Sequence, residues 1–383
     1  MLEPGGNYFL PIDSAADIGA SSYFLKLDDT NILFDCGARS HKESEDSSYY
    51  PEYNILLEEQ LDDFSQLDAI CISHAHYDHI GSLLTIASMA PRTPIYATTI
   101  TKELIRLLLV KLRKGVNFRE HPKIQARKLS MLEDIINRIV EVGVKEDIHV
   151  KNTTIRFYNA GHMAGASMIG VAGTTQNVLY TGDFSFGSVM DMNAMDIGGF
   201  RPDVLIMTAT HGYEDRCANK FNYKELEKRI NNYLKRGKSV VVYSKSIPKQ
   251  LDVLYGFKMM KKPIIHYIDT KAYDVIDELS NLSYSVYTEF TRFSKPPQNE
   301  PHVLISNDKK DGYVPIKIDA SYSLHASMDE LAHMIQMCMP KVVYAVHTNV
   351  KEGTYNFMDE IENNGRYHNE IIQCENKKTY KIN

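Results

Sequence analysis

The sequence predicts an α/β protein with a second α/β segment set into its middle. The first half alternates short β-type runs with turns and helical stretches, and the middle alternates strand and helix again. A third observation bears on function: the run Ser-His-Ala-His-Tyr-Asp-His occupies positions 73–79, directly after the apolar stretch 67–72.

Strand patterns recur through the first half. Tyr23–Leu27 and Asn31–Phe34 predict two strands joined by a hairpin turn at 28–30. Further strands are predicted at 69–72, 154–158, 178–180 and 204–207, and helices at 82–89 and 102–112. A third helix is predicted at 130–142, because Glu133 follows Ser130 at the spacing of a capping box.

The middle and the end continue the alternation. An amphipathic helix at 223–234 precedes a predicted strand at 239–243, and helix, strand and helix follow at 249–257, 263–267 and 272–282. This order is typical of a small three-layer unit. Strands at 314–318 and 342–346 then flank a helix at 328–339.

Composition indicates a globular protein of the cytoplasm. The chain is 43% hydrophobic and 24% charged, no stretch is apolar for long enough to cross a bilayer, and no secretory signal follows Met1. Its five cysteines are scattered, as in a reducing compartment. The net charge is −6, but Gly212–Ala320 carries 19 Lys+Arg against 14 Asp+Glu. This mildly basic segment is only weak support for a nucleic-acid partner.

The run at 73–79 predicts a metal site. His74 and His76 are two residues apart, so in an extended segment their side chains point the same way. Asp78 and His79 follow where the chain enters a helix and can turn toward a second ion. A polar loop that is merely rich in histidine is the alternative, and the further candidate ligands downstream disfavour it.

Those further candidates follow strands. Asp35, His162, Asp183 and His347 each stand at a predicted strand end or in the loop beyond it. Each alone would be taken as structural. Together with the first run they occur in the order and context of the metallo-β-lactamase fold, and the chain resembles that superfamily at all its ligand motifs. The resemblance implies an αββα sandwich.

Within that superfamily, the chain resembles the β-CASP family. Residues 203–212 resemble the strand after which β-CASP members insert a cap domain, and 239–253 resemble a segment of that cap. Tyr322–Ser327 is similar to the Ser-x-His-Ala-Asp motif after the cap. The implied domains are 1–211 and 317–383, which together form the metallo-β-lactamase domain, and 212–316, the β-CASP cap.

The resemblance also implies the ligand set. His74, His76 and His162 hold one ion, Asp78, His79 and His347 hold the other, and Asp183 bridges them. The expected ions are two Zn²⁺, with Mn²⁺ as an alternative in a site of nitrogen and oxygen ligands.

Other residues take implied roles in catalysis or substrate binding. Asp35 would fix a ligand imidazole or the nucleophile, and His325 would bind a phosphate oxygen or protonate the leaving group. Lys249, Thr208 and His325 would contact substrate. Thr208 stands where relatives usually place an acid, and Ser327 stands where they place an aspartate, so the proton-transfer apparatus departs from the family pattern.

The implied activity is that of a metal-dependent nuclease, a phosphodiesterase in which a hydroxide bridging two zinc ions attacks the phosphodiester. RNA is expected over DNA because His347 occupies the last ligand motif, where the DNA-processing branch tends to have valine. Two other readings stay open: a hydrolase of a small phosphodiester or nucleotide, and a catalytically silent β-CASP scaffold subunit. No membrane partner is expected, and the sequence leaves the oligomeric state open, with a homodimer as one candidate.

Overall fold

The structure is a computed structural model. It describes residues 5–40, 48–111, 120–186, 195–213, 223–245, 249–250, 253–254, 256–257, 264–268, 273, 291–292, 294–318, 324–350, 356–364 and 369–382. The chain forms two compact units. The first comprises Met1–Phe186, Ala194–Cys217 and His325–Asn383, and the second Gly187–Asn193 and Ala218–Leu324.

Two seven-stranded sheets form the first unit. The first sheet has the order β19-β1-β2-β3-β4-β5-β6 and the second the order β18-β17-β11-β10-β9-β8-β7. The strands of the first sheet are β1 (Asn7–Asp13), β2 (Ser22–Leu27), β3 (Thr30–Phe34), β4 (Ala69–Cys71), β5 (Ile95–Thr98), β6 (Ile139–Val142) and β19 (Tyr380–Ile382). The strands of the second are β7 (Ile148–Val150), β8 (Thr153–Asn159), β9 (Ser167–Ala172), β10 (Asn177–Tyr180), β11 (Val204–Thr208), β17 (Val342–Val346) and β18 (Glu370–Gln373).

The core of this unit lies between the two sheets. Phe34 of the first sheet stacks on Tyr180 of the second, with ring centroids 5.0 Å apart, and Phe9 approaches Tyr344 at 5.2 Å. These side chains belong to one buried apolar cluster with residues of both sheets. The strand alternation thus places one face of each sheet inward, and the predicted sandwich is confirmed.

The predicted hairpin is also confirmed. Leu27 pairs with Thr30 at the end of the antiparallel β2–β3 ladder, so Asp28 and Asp29 form the turn. Both have positive φ, 47 and 62. Aspartate tolerates this conformation better than most residues, and two such residues in succession match the right-handed twist of a hairpin.

The predicted helix at 130–142 is wrong in its bounds. The helix there runs from Pro122 to Asn137, with His121 accepting a hydrogen bond from Lys123 N at its start. Ile139–Val142 is a strand that pairs in parallel with β5. A proline at the first helical position is a strong start signal, and the pairing with β5 outweighs any helical preference after Asn137.

The remaining helices agree better with the sequence. The helices of the first unit are α1 (Ile55–Glu59), α2 (Tyr77–Ile80), α3 (Leu83–Met89), α4 (Thr99–Ile105), α5 (Pro122–Asn137), α7 (Met328–Cys338) and α8 (Phe357–Asn364), with a 3₁₀ turn at Phe64–Gln66 and a π-helical turn at Arg106–Lys111. Among the described residues, none of these helices has the length and apolarity needed to cross a membrane.

The second unit contains a five-stranded parallel sheet and the helix α6 (Tyr223–Leu234). Its strands are β12 (Val240–Tyr243), β13 (His266–Ile268), β14 (Thr291–Arg292), β15 (Val303–Ser306) and β16 (Val314–Lys317). Six residues of the predicted helix at 249–257 are described, and all six are helical. The predicted helix at 272–282 lies outside the described residues apart from Tyr273, and the predicted domain boundaries stay a prediction.

Candidate metal centre

The candidate ligands lie where strands of the two sheets end. The strands β10, β11 and β17 run parallel, so their carboxyl ends share one edge of the second sheet, and β3 and β4 do the same in the first. Ser167 N, at the start of β9, donates to Ser73 O, just beyond β4, at 2.9 Å. Segments distant in sequence therefore meet at one place.

The backbone at this edge is constrained. Asp35 and His347 each follow a buried strand and have positive φ, 56 and 53. Such a conformation costs a non-glycine residue about 1–3 kcal/mol of free energy, and it persists only where contacts with the surrounding structure hold it in place. Gly37 meets a different demand, because a Cβ there would lie 1.8 Å from Asp78 O. Only glycine allows this close approach of the two loops.

Three imidazoles and one carboxylate form the first group. His74 Nε2 lies 3.0 Å from His76 Nδ1, which in turn lies 3.2 Å from His162 Nε2. Asp183 Oδ2 lies 3.6 Å from His74 Nε2 and 3.8 Å from His162 Nε2. Ligand atoms bound at ~2.0–2.1 Å around a tetrahedral ion are about 3.3 Å apart. The observed distances of 3.0–3.8 Å bracket that value. His76 faces the other ligand atoms of this group through its Nδ1.

The second group consists of one carboxylate and two imidazoles. His347 Nε2 lies 3.6 Å from Asp78 Oδ2, and the rings of His79 and His347 are 5.1 Å apart between centroids. One ligand atom from each of these three residues lies within 4.8 Å of the others. This is the division into two sets that the resemblance implied.

Asp183 lies between the two groups. Its Oδ2 is 3.6 Å from His74 Nε2 on one side and 3.6 Å from His79 Nε2 on the other. The carboxylate is buried, yet neither of its oxygens accepts a hydrogen bond. Burial opposes its ionisation, but His79, His347 and His162 hold the pKa of the Asp183 carboxyl below its usual value. A buried, ionised carboxylate without a hydrogen-bond donor fits a cation.

Hydrogen bonds behind the first group fix the proton on His74. Ser73 Oγ donates its only proton to Asp35 Oδ2 at 2.7 Å, so it accepts from His74 Nδ1 at 3.0 Å. Burial and neighbouring imidazoles also lower the pKa of His74, which favours the neutral ring. Its Nε2 therefore carries a lone pair that faces Asp183.

Asp35 fixes His79 in the same way. His79 Nδ1 lies 2.8 Å from Asp35 Oδ2, and Tyr180 Oη donates to the same oxygen at 2.6 Å. The other oxygen of Asp35 accepts from Ser73 N at 2.7 Å. Asp35 is fully buried, and protein donors use both of its oxygens. The contact that the structure shows for Asp35 is thus with a candidate ligand imidazole, one of the two roles expected from the sequence.

Two serines orient His347. Its Nδ1 lies 2.9 Å from both Ser14 Oγ and Ser21 Oγ. Ser14 Oγ donates to Asp17 O at 3.1 Å, so it accepts the proton of His347 Nδ1. The Nε2 of His347 then carries a lone pair, and this buried atom has no hydrogen-bond partner. The sequence analysis did not select Ser14 or Ser21, because no local pattern marks a residue that acts on a histidine more than 300 positions away.

His325 adjoins the first group. Its Nδ1 lies 3.4 Å from Asp183 Oδ2, and its ring centroid lies 4.7 Å from that of His162. Burial and the nearby imidazoles of His162 and His211 lower the pKa of His325, so the ring is neutral near pH 7. The sequence analysis gave no role to His211, whose ring lies edge-on to His325 at 5.6 Å. Its position in the loop directly after β11 is the signal that could have found it.

The substrate contacts expected of Thr208 and Lys249 remain predictions. Thr208 is 2% exposed, and its hydroxyl donates to Gly182 O at 2.7 Å, so its observed contact supports the turn that carries Asp183. Lys249 belongs to the second unit.

Residues 24–198 match the model of the metallo-β-lactamase superfamily domain. Integrator complex subunit 11 of Danio rerio is 28% identical over 235 residues, which are 61% of this chain and 38% of that protein. Transcription termination factor FttA of Methanothermobacter thermautotrophicus is 28% identical over 231 residues, 59% of this chain and 35% of that protein. Probable RNase MJ4 of Methanocaldococcus jannaschii is 26% identical over 302 residues, 77% of this chain and 67% of that protein.

The chain thus spans less than two fifths of the Integrator subunit, at 38% of its length. A solved structure of a protein of unknown function from Enterococcus faecalis has the same fold, with a TM-score of 0.65 at 15% identity over 98% of this chain and 100% of that one. The family model and the paired sheets agree with the ligand motifs, whose donor set suits divalent metal ions. Residues 24–198 are thus similar to a metallo-β-lactamase superfamily domain, in agreement with the ligand motifs of the sequence.

Proposed function

We propose that this protein is a metal-dependent nuclease that hydrolyses RNA. The observation that carries the proposal is the convergence of all seven candidate ligands into two groups that share Asp183 as their neighbour. The names of the relatives support the substrate, since one is a probable RNase and another a transcription termination factor. The sequence resemblance to β-CASP nucleases points the same way, with the second unit as the cap.

The donor set favours zinc. Five imidazole nitrogens and two carboxylates suit Zn²⁺, and Mn²⁺ is the alternative. A pair of such ions supplies a nucleophile at neutral pH and neutralises charge on the phosphate. Serines hold His74 and His347 with their lone pairs inward, and Asp35 orients His79 through its Nδ1. Burial opposes protonation of His79, but Asp183 and Asp35 raise its pKa to about 9, so a bound ion would displace the proton from its Nε2.

His325 lies next to this centre, where it can contact a substrate phosphate. Its neutral ring can donate a hydrogen bond to a phosphate oxygen, whereas a general acid would have to be protonated first. Thr208 replaces the acid that relatives place here and cannot stabilise a charged imidazole. We therefore assign His325 the binding of a phosphate oxygen.

The test uses labelled RNA, single-stranded DNA and cyclic dinucleotides, each with Zn²⁺, with Mn²⁺ and with chelator. Cleavage of RNA that is lost with chelator and in the double variant His76→Ala/Asp78→Ala supports the proposal. Lys341→Ala is the matched surface control, because Lys341 is well exposed and pairs only with Asp203 in the described ion pairs. Turnover of cyclic dinucleotides alone would favour a hydrolase of small phosphodiesters, and no turnover of any substrate would favour a silent scaffold.

A further inference from the structure

A cavity of about 260 Å³ lies in the first unit beside the second ligand group. Its walls come from three segments: Ile18 and Gly19 of the β1–β2 loop, Ala38–Ser40 after β3, and Tyr77 and Asp78 at the start of α2. Small-molecule sites commonly measure about 300–1,000 Å³, so this cavity suits one nucleotide unit rather than a length of polymer.

The cavity touches the metal centre through one side chain. Asp78 lines it and is also a candidate ligand, with Oδ2 3.6 Å from His347 Nε2. Its side chain is 32% exposed. A phosphate held at the two ligand groups would therefore have its neighbouring nucleoside at the mouth of this cavity.

The charges in the wall disfavour a phosphate inside it. The guanidinium of Arg39 is held by Asp13 at 2.5 Å and by Asp17 at 2.6 Å, so two carboxylates neutralise it. One guanidinium against two carboxylates leaves a net negative charge, which repels an anion in the cavity but does not repel an uncharged heterocycle.

Aromatic surface is concentrated at the same place. Tyr77 forms part of the wall. Tyr49 and Tyr50 are each 43% exposed, and Tyr49 O accepts from Arg39 N at 2.8 Å, which ties these tyrosines to the cavity wall.

We propose that this cavity binds the nucleobase next to the scissile phosphate, which stacks on Tyr77. The inference rests on the proposed nuclease function and adds a base-binding subsite to it. Stacking on aromatic side chains is tolerant of base identity, so the subsite fixes the position of the strand rather than its sequence.

The test compares two product-like probes on the metal-loaded protein: adenosine 5′-monophosphate and ribose 5-phosphate, which lacks the base. Calorimetric titration should show the nucleotide binding about 5- to 150-fold more tightly, the range expected for one stacked base. Tyr77→Phe should keep this preference and Tyr77→Ala should reduce it, with Tyr273→Ala in the second unit as the control.

A fluorescence readout locates the binding. The chain has no tryptophan, so Ser40→Trp at the rim of the cavity introduces a single reporter, and Val144→Trp, at a position 42% exposed, is its control. The nucleotide should quench the first reporter saturably and leave the second unchanged. Equal affinity for both probes in the wild-type protein, or quenching only at position 144, would overturn the subsite. Cleavage of RNA in a parallel assay tests the nuclease function separately, since either result can occur without the other.

Discussion

Asp35→Asn tests whether one buried carboxylate sets the protonation of a metal ligand. Asp35 Oδ2 accepts from Ser73 Oγ, His79 Nδ1 and Tyr180 Oη, while Oδ1 accepts from Ser73 N. An amide has nearly the same shape but replaces one acceptor with an NH₂ donor. Whichever way the amide turns, a donor faces a donor.

The two orientations of the amide have different consequences. With NH₂ at the position of Oδ2, His79 can restore a hydrogen bond only by accepting at Nδ1, which moves its proton to Nε2. That atom faces Asp183 at 3.6 Å and would no longer offer a lone pair to an ion. With NH₂ at the other position, it opposes Ser73 N, a backbone donor that cannot turn away.

The loss in metal affinity should be about 10- to 100-fold, the usual effect of removing the partner of a ligand histidine. This range corresponds to about 1.4–2.7 kcal/mol. Competition with a chromophoric chelator measures it, and elemental analysis should show that the loss falls on one of two ions. Asp203→Asn is the control, because Asp203 pairs with Lys341 at 2.9 Å and accepts from Asn177 N at 2.9 Å away from the ligands. Unchanged affinity and stoichiometry in Asp35→Asn would refute the reasoning.

Three further predictions concern stability. Thr208→Val removes the donor to Gly182 O and should lower the free energy of unfolding in urea by about 1–3 kcal/mol; no change would show that the turn does not depend on it. His266 is buried between Ile264 O and Thr291 Oγ1, and burial lowers its pKa from 6.5 to about 4. The folded state thus binds this proton less readily than the unfolded state, so the stabilisation is complete above pH 6.5 and falls toward pH 4. About 2 kcal/mol should be lost between pH 7 and pH 5, and His266→Gln should remove that part of the slope; an identical slope would contradict it. Removing metal held at ~1,000 times its Kd should cost about 4 kcal/mol, seen as a lower Tm, and a Tm indifferent to chelator would count against a bound ion.

The candidate ligands could be predicted from the sequence because each follows an apolar run that marks a strand, so the end of the strand can be located. Asp183 and His347 follow apolar runs that are β10 and β17, and parallel strands bring their ends to one edge. The hairpin at Asp28 and Asp29 could be predicted as well, because two residues that tolerate positive φ stand between two apolar strands. These features depend on local pattern and sheet geometry alone.

The remaining features depend on tertiary contacts that no local pattern records. The hydrogen bond from His347 to Ser14 joins residues at opposite ends of the chain, and the inward Nδ1 of His76 follows from its place between His74 and His162. The spacing of Ser130 and Glu133 matched a capping box but lies inside a longer helix that begins at Pro122. The helix begins at the proline, which is a stronger start signal than the capping-box spacing of Ser130 and Glu133.

Anomalous diffraction at a metal absorption edge, from crystals of protein whose metal content has been measured, tests the central claim most directly. The account predicts two ions per chain: one among His74, His76 and His162, the other among Asp78, His79 and His347, with Asp183 in contact with both. Metal-loaded crystals with no anomalous peak among these side chains, or with all the metal bound elsewhere on the protein, would contradict it.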